Sequence, residues 1–472
     1  MPNETPRRHL PPLLLALVAI LAAGAAPPAA PPAATAAAPP ARPLSGAEKA
    51  IAAHVDAHAG EARGLLERVV NVNSGTQNLA GVREVGKIFA GELEALGFTT
   101  RWADGKAWGR AGHLIATRAG KSPKSKVLLI GHLDTVFEPD SPFQRFEEVA
   151  GGRARGPGII DMKGGDVILV QALAALRAAG TLDRLDVTVF LTGDEEDSGS
   201  PLSAARQDLL DAAQGVDVAL GFEDGDGKPE HAVVARRGSV DWRLTAGGKP
   251  AHSSQVFQPE VGAGAAYEAA RILKGFYDEL SGEPNLTFNP GLLLGGTAAE
   301  VAPDGVRGTA SGKANVVAGT VIVNGDLRTL SPAQLSSAQE RMQAIAARHL
   351  PGTTAGLIFG EGYPPMAPAP GNLELLATLD QASRDLGLGP VTAVDPRNAG
   401  AADVSFVAGS VPRILDALGL KGTGGHTVDE TADLATLPTQ TKKAALLLYR
   451  LAQGGSGSAL GGRDLAGGAD GR

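Results

Sequence analysis

Between Ser45 and about Ala235, short apolar runs alternate with stretches of helical period. Val127-Leu128-Leu129-Ile130, Val187-Thr188-Val189-Phe190-Leu191 and Val216-Asp217-Val218-Ala219-Leu220 read as buried strands, because parallel strands covered on both faces give near-continuous apolar runs. The spacing predicts amphipathic helices over residues 46–72 and 81–96, and a helix over 164–179 opened by two glycines. Strands that alternate with helices imply βαβ units and a mostly parallel sheet.

The pattern changes near Ala235. Val240, Trp242 and Leu244 alternate with Asp241, Arg243 and Thr245, and Val321, Val323 and Gly325 with Ile322, Asn324 and Asp326. Period two indicates antiparallel strands with one solvated face. Residues 261–280 and 331–350 look helical, and after Pro351 the βα style returns, ending in a helix over 437–451. The fold class is therefore α/β: a mostly parallel-sheet domain in two parts, residues 45–235 and 351–453, interrupted by an inserted α+β domain over 236–350. Residues 454–472 are Gly-rich and read as a flexible tail.

The chain has 472 residues, enough for two domains, with 43% hydrophobic and 20% charged residues, so its body should be globular. A net charge of −8 argues against nucleic acid, which wants a basic face. Residues 1–44 read as an export signal and Ala/Pro-rich spacer. Arg7 and Arg8 precede an apolar core from Leu13 to Ala23, short for a bilayer span, and small-residue cleavage sites follow. The expected location is periplasmic or secreted, with a retained membrane anchor as the alternative. There are no cysteines, so no disulfide framework and no cysteine-lipidated N-terminus.

Candidate chemistry sits where these strands end. His132 and Asp134 follow the first apolar run, Asp194-Glu195-Glu196 the second and Glu223-Asp224 the third. Asp161 lies in a tight loop feeding a helix, and His426 in Gly424-Gly425-His426-Thr427. Each has a bland alternative: a structural histidine, a helix cap, an exposed acidic turn. Together they suit a divalent-metal cluster, because ligands bind outside the carboxyl ends of strands in open α/β sheets. Asp134 could accept the His132 imidazole N–H and fix the metal-binding tautomer. Adjacent Glu195 and Glu196 repel without a cation, and their diverging side chains could divide into ligand and general base. Two metals about 3.5–4 Å apart need a bridging carboxylate. Zinc lowers the pKa of a bound water to about 7, so metal-assisted hydrolysis is the inferred chemistry.

Gly131-His132-Leu133-Asp134-Thr135-Val136, Asp161-Met162-Lys163-Gly164-Gly165, Glu195-Glu196 and Gly425-His426 resemble the M20 family of dinuclear zinc peptidases, over about residues 45–452. The resemblance implies two zinc ions, with cobalt or manganese as substitutes. His132 and Glu223 would hold one and Glu196 and His426 the other, with Asp161 bridging and a cis peptide at Asp161-Met162. Glu195 would be the base and Asp134 the orienter of His132. Relatives often have Glu-Pro where this chain has Glu223-Asp224, so Asp224 stays open as the ligand. A glutamate there is the choice of carboxypeptidase-like and aminoacylase-like members. The inserted domain would be a lid, used by many members to form homodimers. On it, Arg328 would grip a substrate carboxylate, with Asn315 upstream, and His252 would polarise the scissile carbonyl. The expected substrates are small peptides or N-acyl amino acids cleaved at a C-terminal amino acid. The alternatives are a dipeptidase, an aminopeptidase or an N-acyl-amino-acid deacylase of the same family, and an inactive metal-binding interaction module.

Overall fold

The computed structural model describes residues 40–303 and 305–454. The predicted export signal, most of the spacer and all but the first residue of the Gly-rich tail lie outside the described residues.

The chain opens with helices α1 (Gly46–Ala57), α2 (Ala59–Val70) and α3 (Leu79–Ala95). Ser45 caps α1 in a reciprocal box with Glu48, which satisfies two otherwise orphaned N–H groups. The single helix expected over 46–72 is broken at His58, whose backbone leaves helical geometry (φ −107°, ψ 12°) and joins α1 to α2. Strands β1 (Thr99–Asp104), β2 (Gly112–Arg118) and β3 (Ser125–His132) follow, then α4 (Gly164–Ala178), β4 (Leu185–Thr192), α5 (Leu202–Ala212) and β5 (Val218–Gly221). A second set comprises β6 (Gly238–Gly248), α6 (Ala265–Leu280), β7 (Thr287–Gly296), β8 (Thr320–Thr329), α7 (Pro332–Ala346) and β9 (Thr353–Tyr363). The chain then returns through α8 (Pro370–Asp385), β10 (Ile414–Leu415) and α9 (Thr436–Ala452). Shorter strands are named by residue.

The main sheet has the order β1-β2-β4-β3-β5-β10. Strand β3 runs parallel to β4 and β5, and β5 parallel to β10. The sheet is nevertheless mixed, because β1, β2 and β4 pair antiparallel. The two antiparallel strands escape the sequence pattern because β1 is an edge strand with one face largely in solvent, and β2 carries His113 inside its apolar run. Leu129, Val189 and Leu220 on one face of the sheet meet residues of α1, α2, α4 and α9, such as Ile51, Leu66, Leu169 and Leu447. Leu128, Ile130 and Phe190 on the other meet Leu209 of α5.

The lid sheet, β7-β8-β6-β9, is antiparallel throughout, and because β9 pairs along β6 the inserted domain runs to Tyr363, past the boundary expected at residue 350. Trp242, Leu244, Val323 and Leu327 turn inward onto Ile272, Phe276, Met342 and Ile345 of the two helices, while Asp241, Arg243 and Thr245 are exposed. This is the period-two reading realised, with a core of its own. Helix α6 begins at Ala265, later than expected, because Gly262 and Gly264 take left-handed backbone (φ 79° and 82°) that a helix cannot use.

Candidate metal centre

The parallel register decides which side chains meet. His132 is the last residue of β3 and pairs with Thr192 at the end of β4, while Ile130 pairs with Gly221 at the end of β5. The three strands thus release His132-Asp134, Asp194-Glu196 and Glu223-Asp224 at one edge. Asp134 is fully buried and accepts the N–H groups of Glu195 (3.0 Å) and Glu196 (3.1 Å) and the Thr76 hydroxyl (2.6 Å). Burial alone would raise its carboxyl, but His132, Thr76 and the Glu195 N–H hold it below the usual range. His132 Nδ1 lies closer to the backbone carbonyl of Asp134 (3.1 Å) than to its carboxylate (3.5 Å). The carboxylate's shorter bonds clamp the turn that carries Glu195 and Glu196, a role beyond orienting His132.

Asp161 does not end a strand. It sits in a single wide helical turn, Ile159–Lys163, in which Asp161 and Met162 leave helical dihedrals and the peptide between them is cis. The turn feeds α4, whose second glycine is required by close approach: a Cβ on Gly165 would collide with the Phe222 carbonyl at the end of β5. Glu430 fixes this turn. Its buried carboxyl accepts the N–H groups of Gly158 (2.9 Å), Ile160 (2.8 Å) and Asp161 (3.2 Å). Burial nevertheless pushes that carboxyl up to about 8.

On this frame the two oxygens of Asp161 face two different histidines. Asp161 Oδ1 lies 3.1 Å from His132 Nε2, and Glu223 Oε1 lies 3.6 Å from the same nitrogen. Asp161 Oδ2 lies 2.9 Å from His426 Nε2, and Glu196 Oε2 lies 3.1 Å from that nitrogen. Two triads result, His132-Asp161-Glu223 and Asp161-Glu196-His426, with Asp161 in both. Asp224 belongs to neither triad. Burial, with Asp161 nearby, raises its carboxyl to about 7. His426 reaches in from a loop where it takes left-handed backbone (φ 62°) beside Gly424.

The electrostatics fit divalent cations. Burial raises Glu223, Glu195 and Glu196, and the charge of Asp161 raises each further. Hydrogen bonds to Asp161 and Glu196 lift His426 to about 11. Burial pulls His132 down, but Glu223, Asp134 and Asp161 outweigh it and raise it. Oxygen and imidazole donors crowded in this way compensate one another through a metal, and Glu196 Oε1, buried with no hydrogen-bond partner, is left for one.

Glu195 stands outside both triads, next in sequence to Glu196 of the second. The lid residues named from the sequence are arranged differently. Arg328 Nε bonds Asp326 Oδ2 (2.8 Å), and Asp326 is held in turn by Ser239 (2.9 Å). His252 is exposed and shares a hydrogen bond with Ser254 (2.8 Å), while the Asn315 carbonyl accepts the Ser253 N–H (2.9 Å). The structure therefore brings the His252 and Asn315 loops together, and their bonds stay within the lid. Glu430 and Asp403 are among the positions missed in the sequence. Glu430 lies four residues after His426, and that spacing was its one local signal. Asp403, whose charge helps to raise the Glu195 carboxyl and which accepts Arg206 Nε (2.9 Å), has no local signal.

Comparison with known proteins places this geometry. A model of peptidase family M20/M25/M40 matches residues 128–450. Carboxypeptidase G2 from a Pseudomonas species is 26% identical over 396 residues, covering 82% of this chain and 89% of that protein. Succinyl-diaminopimelate desuccinylase from Acidovorax ebreus is 26% identical over 390 residues, covering 79% and 93%. The crystal structure of aminopeptidase PepT from Bacillus cereus superposes with a TM-score of 0.66 at 19% identity, over 84% of this chain and 99% of that one, a likeness of fold.

Proposed function

The chain belongs to peptidase family M20/M25/M40, and from that premise we propose that it is an exported dizinc hydrolase releasing a C-terminal amino acid from small peptides or N-acyl amino acids. The observation that carries the reading is Asp161, whose two oxygens face two separate His/Glu pairs beside a free glutamate. His132, Asp161 and Glu223 would hold one zinc and Asp161, Glu196 and His426 the other. Bound there, the metals would acidify a water and polarise the scissile carbonyl.

The chain's own residues account for the rest. Burial, reinforced by Asp403, Glu196 and Asp161, raises the Glu195 carboxyl despite the opposing His132. A carboxylate with raised affinity for protons suits a general base that takes a proton from the attacking water and delivers it to the leaving amine. Asp134 holds the Glu195 and Glu196 N–H groups, so base and ligand keep a fixed relation. Arg328 supports selection of a free carboxylate. Its guanidinium is partly exposed on β8 and bonded through Nε alone, so its two terminal nitrogens can take a carboxylate side-on. Glu223 in the first triad, with Asp224 outside it, supports the same choice.

Export and a homodimer formed through the lid belong to this reading, the first on the charged and apolar pattern before Ala26. The fold likeness to an aminopeptidase favours a second reading, attack at a free N-terminus. The test is hydrolysis of matched N-acyl amino acids and their C-terminal amides, beside dipeptides with free and blocked amines, by zinc-loaded protein. Turnover of acids over amides supports the proposal. A requirement for a free amine with indifference to the C-terminus would replace it with aminopeptidase action.

A further inference from the structure

The turn carrying Glu195 is held from two sides, and one of them is the lid. From the main sheet, Asp134 Oδ1 accepts the Glu195 N–H (3.0 Å). From the lid, the Tyr363 hydroxyl donates to the Glu195 carbonyl (2.9 Å). Tyr363 is the last residue of β9, so one peptide of the catalytic turn is bonded to the end of a lid strand.

Arg206, fully buried on α5, locks the hydroxyl in place. Its Nη2 donates to Tyr363 Oη (2.8 Å), to Ser198 Oγ (3.0 Å) and to the Asp194 carbonyl (3.1 Å). Its Nη1 donates to Asp194 Oδ1 (2.7 Å) and its Nε to Asp403 Oδ1 (2.9 Å). Ser198 Oγ lies 3.2 Å from the phenol oxygen and has a proton of its own to donate, so with Arg206 and Ser198 both donating to the phenol its single proton goes to the Glu195 carbonyl. The Tyr363 ring stands edge-on to Phe406 at 4.9 Å, and the guanidinium lies over Phe406 at 5.3 Å. Burial, with Asp403 and Glu195 nearby, keeps the phenol protonated and so a donor.

The end of β9 makes a second contact with the same segment. Its ladder with β6 shifts register between Phe359 and Gly362, a bulge that bends the strand and frees Glu361 from the sheet. Glu361 Oε2 then accepts the N–H of Leu202 (2.9 Å), the first residue of α5. Glu361 and Tyr363 together dock the strand end on the stretch from Glu195 to Arg206.

We propose that Tyr363 is a positioning residue for Glu195, so that the lid strand β9 helps to set where the base stands. The proposal rests on Glu195 being the base. The experiment compares Tyr363→Phe, Glu195→Gln and the double variant in the zinc-loaded full chain, on an N-acyl amino acid that the parent hydrolyses. Tyr363→Phe keeps the ring packing and removes the hydroxyl with its bonds to Glu195, Arg206 and Ser198, of which the first alone reaches the base. It should lower kcat about tenfold, the rate equivalent of a single hydrogen bond felt in the transition state, with KM and zinc stoichiometry unchanged. Added to Glu195→Gln, it should cost nothing further, because a residue acting through the base has nothing left to position. Parent-like kcat for Tyr363→Phe, or the same tenfold loss on the Glu195→Gln background, would overturn the positioning role while leaving the base intact. Parent-like activity of Glu195→Gln itself would instead remove the base assignment, and this proposal with it.

Discussion

The metal cluster and the Arg328 and His252 side chains of the lid are held in opposite ways. His132, Glu196 and Glu223 stand at the ends of adjacent strands, and Asp161 in a turn gripped by Glu430 from more than 250 positions later. On the lid, the side chains of Arg328 and His252 bond residues only two positions away, Asp326 and Ser254, and both are open to solvent. Long-range contacts fix the cluster before any substrate arrives, whereas short local contacts leave the lid side chains free to re-aim. Chemistry needs the first arrangement, since a catalytic group must hold its geometry. Recognition that accompanies domain closure needs the second.

Four measurements break or sharpen this contrast. The largest effect is expected at the proposed base: Glu195→Gln should lower kcat by at least 10²–10⁴-fold, the usual worth of general acid–base catalysis, with folding and zinc content intact. Turnover at the parent rate would move the base to Glu196 or Asp194. Next is Glu430→Gln, which turns one of the two accepting oxygens into a donor facing backbone N–H groups. Zinc affinity, followed by calorimetry on the metal-stripped protein, should fall roughly 10–100-fold, as when a group supporting a ligand is removed. Unchanged affinity would mean that the Asp161 turn holds itself.

Arg328→Ala and Arg328→Lys should each reduce kcat/KM for free-carboxylate substrates by roughly 10–100-fold, the worth of a charge-assisted hydrogen bond, and leave amide substrates nearly unchanged. Equal loss on both would assign Arg328 to lid structure. The smallest effect on turnover is expected at Glu268, buried in the lid. It bonds Arg271 (2.7 Å), the Leu350 N–H (2.9 Å) and His349 (3.1 Å). Burial would raise its carboxyl, but these bonds bring it down from 4.5 to about 2. A lowered folded-state value stabilises the ionised form, so the contribution is complete above 4.5 and is lost as pH falls toward 2. Glu268→Gln should therefore lower Tm at pH 7, with the difference from the parent shrinking across that window and kcat per folded molecule unchanged. A Tm difference that does not depend on pH would show that packing, and not charge, is what Glu268 supplies.

The sequence alone carried the strands that end in His132, Glu195-Glu196 and Glu223, because an apolar run and the polar residues that stop it are neighbours in the chain. It carried two of the four lid strands, β6 and β8, since period-two alternation is a local property, but not β7, and it placed β9 in the second part of the main domain. It did not carry β1 and β2, where edge exposure and a buried histidine blur the pattern, nor the break at His58, which leaves the helical period uninterrupted. Between Glu223 and Asp224 local chemistry could not choose. The fold chose, by pointing Glu223 at His132. Asp403, Arg206 and Tyr363 gave no sign in the sequence, and Glu430 only its spacing from His426, for one physical reason: each is a polar group with partners distant in sequence, and burial makes those partners obligatory only after the chain has folded. Sequence determined which residues could do chemistry, because that depends on what each side chain is. Tertiary structure decided what each is aimed at, because Asp161 can face two histidines at once only where a parallel register, a tight turn and a distant carboxylate coincide.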